Sequence, residues 1–161
     1  MATDMRRLYD EDFYAWTQVQ ARELRRFAET RPNVPLDLPH LALEIRDLGK
    51  EQRNAVRSLV RHILVHLLLL RFSPTIGPRR GWQVEVAAAR ADAADRLTAT
   101  LHRGLRRELP RLYVQARKMA RYKLEDHGEP AVLPEACPFP LAQVLDDGWY
   151  PEQDATPRPS R

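Results

Sequence analysis

The chain has 161 residues, enough for one domain that buries roughly 68–70 % of the surface of its unfolded form. Its 26 basic and 22 acidic residues leave a net charge of +4, and this small excess decides little about partners. The single cysteine, Cys137, excludes an internal disulfide, and the absence of a charged-then-apolar leader at the N-terminus favours a cytoplasmic protein.

The first predicted helix begins near Asp10 or Asp12 and runs to about Glu29. A carboxylate at either starting position can accept the free backbone amides of the first helical turn. Its apolar stripe is predicted to face the core and consists of Phe13, Trp16, Gln20, Leu24 and Phe27. Residues 1–8 are predicted to form a flexible N-terminus.

A long helical segment is predicted from Leu38 to Phe72, with a bend or break near Gly49, so that the segment is either one bent helix or two helices. Within this segment, residues 63–70 are apolar on every side except at His66. A run of this length is far shorter than the roughly 20 residues of a membrane span. We therefore expect a buried helix segment and no membrane contact.

A third helix is predicted to begin near Trp82 and to stop before Pro110, because proline lacks a backbone donor. A fourth should start at Pro110 and end at Gly128. The segment that follows is predicted to be extended, with a short helix at residues 141–145 and a disordered tail at residues 152–161. Since Trp16 and Trp82 each open an apolar stripe, both are predicted to be buried in one core.

Taken together, these elements predict an all-α fold. No segment shows the strict alternation of apolar and polar residues that a half-buried strand requires. The expected architecture is an up-down helical bundle of four to five helices with a C-terminal extended strap and one short helix. Residues 9–151 are predicted to form a single helical domain.

Four blocks of residues carry a family resemblance. They are Tyr9-Asp10-Glu11-Asp12-Phe13 with Trp16; Leu41-Ala42 with Glu44-Ile45 and Leu48-Gly49; His66-Leu67-Leu68 with Pro74, Trp82 and Arg90; and Pro134 with Cys137-Pro138 and Leu145. From about Tyr9 to Pro151 the chain resembles the helical bacterial family called domain of unknown function 29. The resemblance implies an all-helical fold, and it carries no information about an activity. Leu43 and Arg46 replace the acids expected beside Glu44, and Leu69-Leu70 replace an expected lysine and aromatic residue.

His62 and His66 are the candidate metal ligands. Four residues apart on a helix, their rings can lie one turn above the other, which suits two ligands of one metal. Further ligands would have to come from elsewhere, for example Glu44, Glu51 or His102. The favoured alternative is that His66 is a core histidine whose ring nitrogens are satisfied by neighbours. No cofactor is therefore expected.

Two other patterns could carry chemistry. Cys137 could act as a nucleophile with a histidine, but a small thiol packed under the strap is favoured. The acids Glu44, Asp47 and Glu51 recur at helical spacing and could hold a hard cation. Basic residues alternate with these acids, which is typical of a solvated helix face with ion pairs.

The sharpest feature of the sequence is charge segregation. Residues 103–123 contain eight basic residues and one acid, whereas residues 125–154 contain eight acids and neither lysine nor arginine. One possible partner is nucleic acid, with candidate contacts at Arg53, Arg57, Arg61, Arg117 and Arg121. The favoured alternative is that the acidic strap lies on the basic helices of its own chain.

The leading functional hypothesis is a non-catalytic helical protein that acts through protein–protein contacts, with itself or another protein. Self-association is expected because residues 63–70 are apolar all round and one face of a bundle would not cover them. The first alternative is a nucleic-acid-associated protein that uses the arginine-rich helices. The second alternative is a metal-dependent enzyme centred on His66.

Overall fold

The computed structural model describes the backbone of residues 2–154 and the side chains of residues 4–154. The helices are α1 (Ala2–Glu11), α2 (Phe13–Glu29), α3 (Leu38–Phe72), α4 (Arg79–Arg96), α5 (Ala99–Asp126) and α6 (Leu141–Leu145). No strand occurs between residues 2 and 154, so the predicted all-α fold is confirmed. Most of the predicted disordered tail, residues 155–161, lies outside the described residues.

The chain divides into two compact units. Unit 1 comprises the described residues up to Val56 together with Arg96–Gly104. Unit 2 comprises Arg57–Asp95 and the described residues from Leu105 onward. Residues 2–8, for which the sequence predicts a flexible terminus, lie in α1 of unit 1.

In unit 1, Asp12 caps two helices at once. The residue is only 7 % exposed, and one carboxylate oxygen accepts the backbone amide of Ala15 at 2.9 Å, as the sequence predicts for the start of α2. The other oxygen accepts the amide of Thr100 at 2.9 Å, in the first turn of α5. A negative charge is favourable at both helix N-termini. Burial acts to raise the pKa of Asp12, but these amide donors hold it below its ordinary value.

The predicted break at Gly49 is wrong, because α3 is one continuous helix of 35 residues. Gly49 serves a different purpose in unit 1. A Cβ at this position would overlap the hydroxyl oxygen of Thr17 on α2. The fully buried side chains of α2, Thr17 and Ala21, are also small. Glycine is therefore needed for the close approach of α2 and α3.

The boundary predicted at Pro110 is also wrong. Helix α4 ends at Arg96, residues 97–98 interrupt the helix, and α5 continues through Pro110. The start of α5 is fixed by side chains: in addition to Asp12, the hydroxyl of Thr98 accepts the amide of Leu101 at 3.3 Å. Pro110 is exposed, so water can hydrate the helix carbonyl that lacks its usual donor.

The two tryptophans do not form the predicted common core. Trp16 lies in unit 1 and Trp82 in unit 2, and both side chains are only half-buried. Phe27, expected on the core stripe of α2, is 45 % exposed. Trp16 instead joins an aromatic cluster, with its ring centroid 4.9 Å from that of Tyr9 and 5.7 Å from that of Phe13.

In unit 2, residues 63–70 of α3 are all buried, as predicted. Their side chains pack in a core that also contains Val86 of α4, Leu112 of α5 and Phe139 of the C-terminal segment. Burial of this apolar surface is the main favourable contribution to folding of the unit. None of the helices described between residues 2 and 154 combines the length and apolarity needed to cross a membrane.

The C-terminal strap, defined here as residues 127–154, is extended apart from α6, which has the predicted bounds. Leu133, Phe139 and Leu141 are buried, whereas Leu145 and Trp149 are half-buried. Val144, also in the strap, is fully buried. Apolar side chains therefore hold the strap against unit 2.

Arg90 of α4 binds the strap through three backbone carbonyls. Its side chain is 2 % exposed, and its guanidinium donates to Val144 at 2.9 Å, Trp149 at 2.8 Å and Gln143 at 2.9 Å. Two of these carbonyls belong to the last turn of α6, where helix carbonyls lack full helical partners; that of Gln143 also accepts the amide of Asp146 at 3.3 Å. Burial lowers the pKa of the Arg90 guanidinium, yet arginine remains charged in proteins.

We expect Asp12→Ala to lower the free energy of unfolding by about 2 kcal/mol, since each N-cap bond contributes about 1 kcal/mol. Urea denaturation followed by circular dichroism measures this change. Asp10→Ala is the matched control, because Asp10 is an exposed acid of α1. An equal effect of the two substitutions would contradict the double cap.

We expect Arg90→Met to lower the free energy of unfolding by about 3 kcal/mol or more, because three buried carbonyls lose a charged donor. Hydrogen exchange should then accelerate in residues 141–150 well before it accelerates in α3. Arg80→Met is the control, since Arg80 is an exposed arginine of the same helix. Unchanged protection of the strap in Arg90→Met would show that apolar contacts alone hold it.

Candidate functional site

The two histidines of α3 are adjacent, and each contacts another group of the protein. The ring centroids of His62 and His66 are 4.3 Å apart. Nδ1 of His66 donates to the carbonyl of His62 at 3.0 Å. His62 in turn places Nε2 3.1 Å from a carboxylate oxygen of Glu85 on α4. These contacts fit the interpretation of His66 as a core histidine satisfied by its neighbours.

The further ligands that the sequence suggests, Glu44, Glu51 and His102, all lie in unit 1. Glu44 and Glu51 are exposed residues of unit 1, whereas His62 and His66 lie in unit 2. Among the described side chains, no three His, Cys, Asp or Glu residues form a group that could hold a metal ion. The pair His62–Glu85 alone offers two ligands, fewer than a structural or catalytic zinc site requires.

Cys137 is half-buried in the strap. Its thiol donates to the carbonyl of Phe139 at 3.3 Å, and burial raises its pKa. A reactive cysteine needs the opposite shift, because the thiolate is the nucleophile. The thiol therefore packs as a small apolar group.

Two of the three arginines of α3 proposed as nucleic-acid contacts bind polar side chains of α5. Arg57 forms a two-point ion pair with Glu108 of α5. Arg61 donates to Gln115 at 3.0 Å. Arg53 lies in unit 1, and its buried Nε has no hydrogen-bond partner. Arg57 and Arg61 are therefore engaged with α5 within unit 2.

The basic residues of α5 are not neutralised by the acidic strap. Within residues 4–154, the ion pair made by the basic residues of the stretch 103–123 joins Arg121 to Glu125, one turn away on α5. In the strap, Glu129 accepts the hydroxyl proton of Ser73 and Asp154 pairs with Arg71 of α3. In the described part of the chain, the carboxylates of the strap thus form no ion pair with the basic residues of α5, although the strap does lie against this helix.

The strap crosses α5 through backbone carbonyls instead. The hydroxyl of Tyr113 donates to the carbonyl of Pro134 at 2.6 Å, and the guanidinium of Arg117 donates to that of Leu133 at 3.1 Å. Because carbonyls rather than carboxylates accept these bonds, the crossing leaves the positive charge of Arg117 unneutralised.

A groove of about 390 Å³ lies on one side of this crossing. We call it the basic groove; its lining is Val114, Arg117, Lys118 and Arg121 of α5 with residues 131–133 of the strap. Val114 is 63 % exposed and Val132 is 96 % exposed. Three cations and two exposed apolar side chains therefore share one concave surface.

A second groove of about 640 Å³ lies on the other side of the crossing. We call it the proline groove; residues 135–140 of the strap line it together with Arg106, Pro110 and Tyr113 of α5. Val114 lines both grooves, so they adjoin along α5. The two form one surface that follows α5 from Arg106 to Arg121.

Sequence reasoning identified Arg117 and Arg121 of this surface but missed Lys118, Val114 and Val132. The run of basic residues on α5 was a signal for Lys118. No local pattern marks Val132, since Ala131 and Leu133 beside it are also apolar. Its exposure depends on where the strap crosses α5, which is a tertiary feature.

The chain matches the family described as Domain of unknown function DUF29 over residues 8–150, and it belongs to this family. Its fold is similar to the crystal structure of an alpha-helical protein of unknown function from Rhodospirillum rubrum. The TM-score is 0.77 at 29 % sequence identity, covering 87 % of this chain and 90 % of that chain. No curated protein matches the chain.

The structure predicts that His66 makes stability depend on pH. Burial lowers the pKa of its imidazole from the ordinary 6.5, and the charges of His62 and Lys123 act in the same direction. Below pH 6.5 the unfolded chain therefore binds more protons than the folded one. The free energy of unfolding should fall as the pH drops from this value, and should fall less steeply in His66→Gln.

Urea denaturation at several pH values between about 7.5 and 5 measures this slope. His127→Gln, at an exposed site on the turn after α5, is the control. Equal slopes in the parent and in His66→Gln would show that His66 does not carry the dependence.

Proposed function

We propose that this DUF29 protein is a non-catalytic helical domain that acts through protein–protein contacts, and that the basic groove is its contact surface. One observation carries the proposal: Val114 and Val132 stand exposed among Arg117, Lys118 and Arg121. Exposure of these apolar side chains to water is unfavourable. A protein partner that covers them would remove this cost.

The groove also supports a protein partner over the other hypotheses. A metal-dependent enzyme centred on His66 has little support, because His62 and His66 are bonded within their own helix and to Glu85. Self-association at residues 63–70 has no support either, since these side chains are buried in their own unit. A contact between copies would need another surface, and the basic groove is the candidate.

Nucleic acid is the second candidate function, favoured by the cations of α5 that the strap leaves without carboxylate partners. Phosphate contacts from Arg117, Lys118 and Arg121 would be strongly dependent on salt. The exposed valines argue against this reading, because a phosphate backbone offers them no apolar partner. The aromatic side chains on which single-stranded bases stack do not line the basic groove.

Site-specific photo-crosslinking in cells tests the proposal. A photoreactive amino acid is placed at Val132, and in a matched control at Ala88, an exposed residue of α4. We expect a protein adduct from position 132 and none from position 88. Lys118→Glu combined with Arg121→Glu should reduce the adduct, because two attractive charges become repulsive.

Each other outcome has a defined meaning. An adduct at twice the mass of the chain would identify a second copy as the partner and support self-association. An adduct that nuclease treatment returns to about the mass of the free chain would favour the nucleic-acid function and overturn the proposal. Equal adducts from positions 132 and 88 would also overturn it, since contact would then be unspecific.

A further inference from the structure

We infer that the partner of the basic groove is an acidic amphipathic segment of another protein, which lies along α5 across both grooves. This inference rests on the proposed function and names the chemistry of the partner. Four observations support the inference: the charge of the surface, its exposed apolar side chains, its length, and the contacts that the carboxylates of the strap already make.

The charge of the surface calls for acidic residues on the partner. Arg106, Arg117, Lys118 and Arg121 line the two grooves, and the only carboxylate in the lining is Glu135. The ion pair between Arg121 and Glu125 is exposed, with an N–O distance of 3.6 Å. Exposed pairs of this kind contribute little, so Arg121 can exchange Glu125 for a carboxylate of the partner.

The apolar side chains call for apolar residues on the same segment. Val114 lies where the two grooves meet, and Val132 stands at the rim of the basic groove with 96 % of its surface exposed. A purely acidic chain would leave both valines in water. A segment that carries both acidic and apolar residues can pair with the cations and also cover the valines, as amphipathic helices do when they bind in grooves.

The length of the surface sets the length of the segment. Arg106 and Arg121 stand on one continuous helix, about 22 Å apart at a rise of 1.5 Å per residue. A helical segment of about 15 residues, or a shorter extended one, covers this distance.

A second copy fits this surface less well than a different protein. The strap is the acidic part of the chain, but its carboxylates are partly engaged within their own unit. Glu129 accepts from Ser73, Asp154 pairs with Arg71, and Asp146 accepts the amide of Gly148 at 2.9 Å. A partner copy would have to break such contacts to offer these carboxylates to the groove.

Fluorescence anisotropy with synthetic peptides tests the inference on the full chain. The probe is a labelled peptide of about 15 residues with glutamate and leucine at helical spacing. Two matched peptides replace every leucine by serine or every glutamate by lysine. We expect the glutamate–leucine peptide to bind about tenfold more tightly than the serine peptide, and the lysine peptide not to bind.

Charge-reversal variants locate the binding. Lys118→Glu with Arg121→Glu should weaken binding of the glutamate–leucine peptide about tenfold. Arg107→Glu with Arg111→Glu makes the same change in net charge at exposed α5 residues outside both groove linings, and should have little effect. Circular dichroism of all variants establishes that each is folded.

Three results would overturn the inference. The serine peptide could bind as tightly as the leucine peptide, the two double variants could weaken binding equally, or a DNA duplex could bind more tightly than the peptide at physiological salt. A peptide that fails to bind, together with a protein adduct at position 132, would reject this partner chemistry and leave the proposed function standing. Failure of both experiments would reject the proposed function itself.

Discussion

The buried guanidinium of Arg90 fixes the strap, and the position of the strap creates both grooves. Its three carbonyl acceptors lie at residues 143, 144 and 149, so one side chain ends α6 and holds the chain that follows it. Upstream, Tyr113 and Arg117 bind the carbonyls of residues 134 and 133. The strap is thus secured by donors from the helices to its backbone, and this arrangement leaves its carboxylates and the cations of α5 unpaired with each other.

Unit 1 depends in a similar way on one buried charge of the opposite sign. The carboxylate of Asp12 accepts amides at the N-termini of α2 and α5, whereas Arg90 donates to carbonyls at the C-terminus of α6. Each charge has the sign that the adjacent helix dipole favours. A buried charge that met fewer such partners would cost several kcal/mol, so both residues tolerate little substitution.

Sequence patterns predicted correctly those features that depend on residues close together in the chain. The cap at Asp12, the burial of residues 63–70 and the bounds of α6 followed from capping chemistry, apolar periodicity and flanking prolines. The helix break at residues 97–98 was missed, because it depends partly on Asp12, which is distant in sequence. Arg90 did leave a signal, since it stands four residues after Val86 on the apolar stripe of α4. Of the residues that line the basic groove, only the cationic ones could be predicted from the sequence, because the exposure of Val132 is set by tertiary packing.

The buried polar side chains of the described chain are Asp12, Thr17, His66, Ser73 and Arg90. Four of them bind backbone groups of helices: Asp12 at two N-termini, Thr17 at the carbonyl of Tyr14, His66 at that of His62, and Arg90 at α6. Ser73 donates to Glu129 and accepts the amide of Thr75, which joins the end of α3 to the strap. Asp12, Ser73 and Arg90 therefore hold helix ends or the strap, whereas Thr17 and His66 bond to carbonyls within their own helices. The proposed contact surface lies instead on α5, where exposed cations and valines stand side by side, a mixture of polar and apolar groups that is common in protein interfaces.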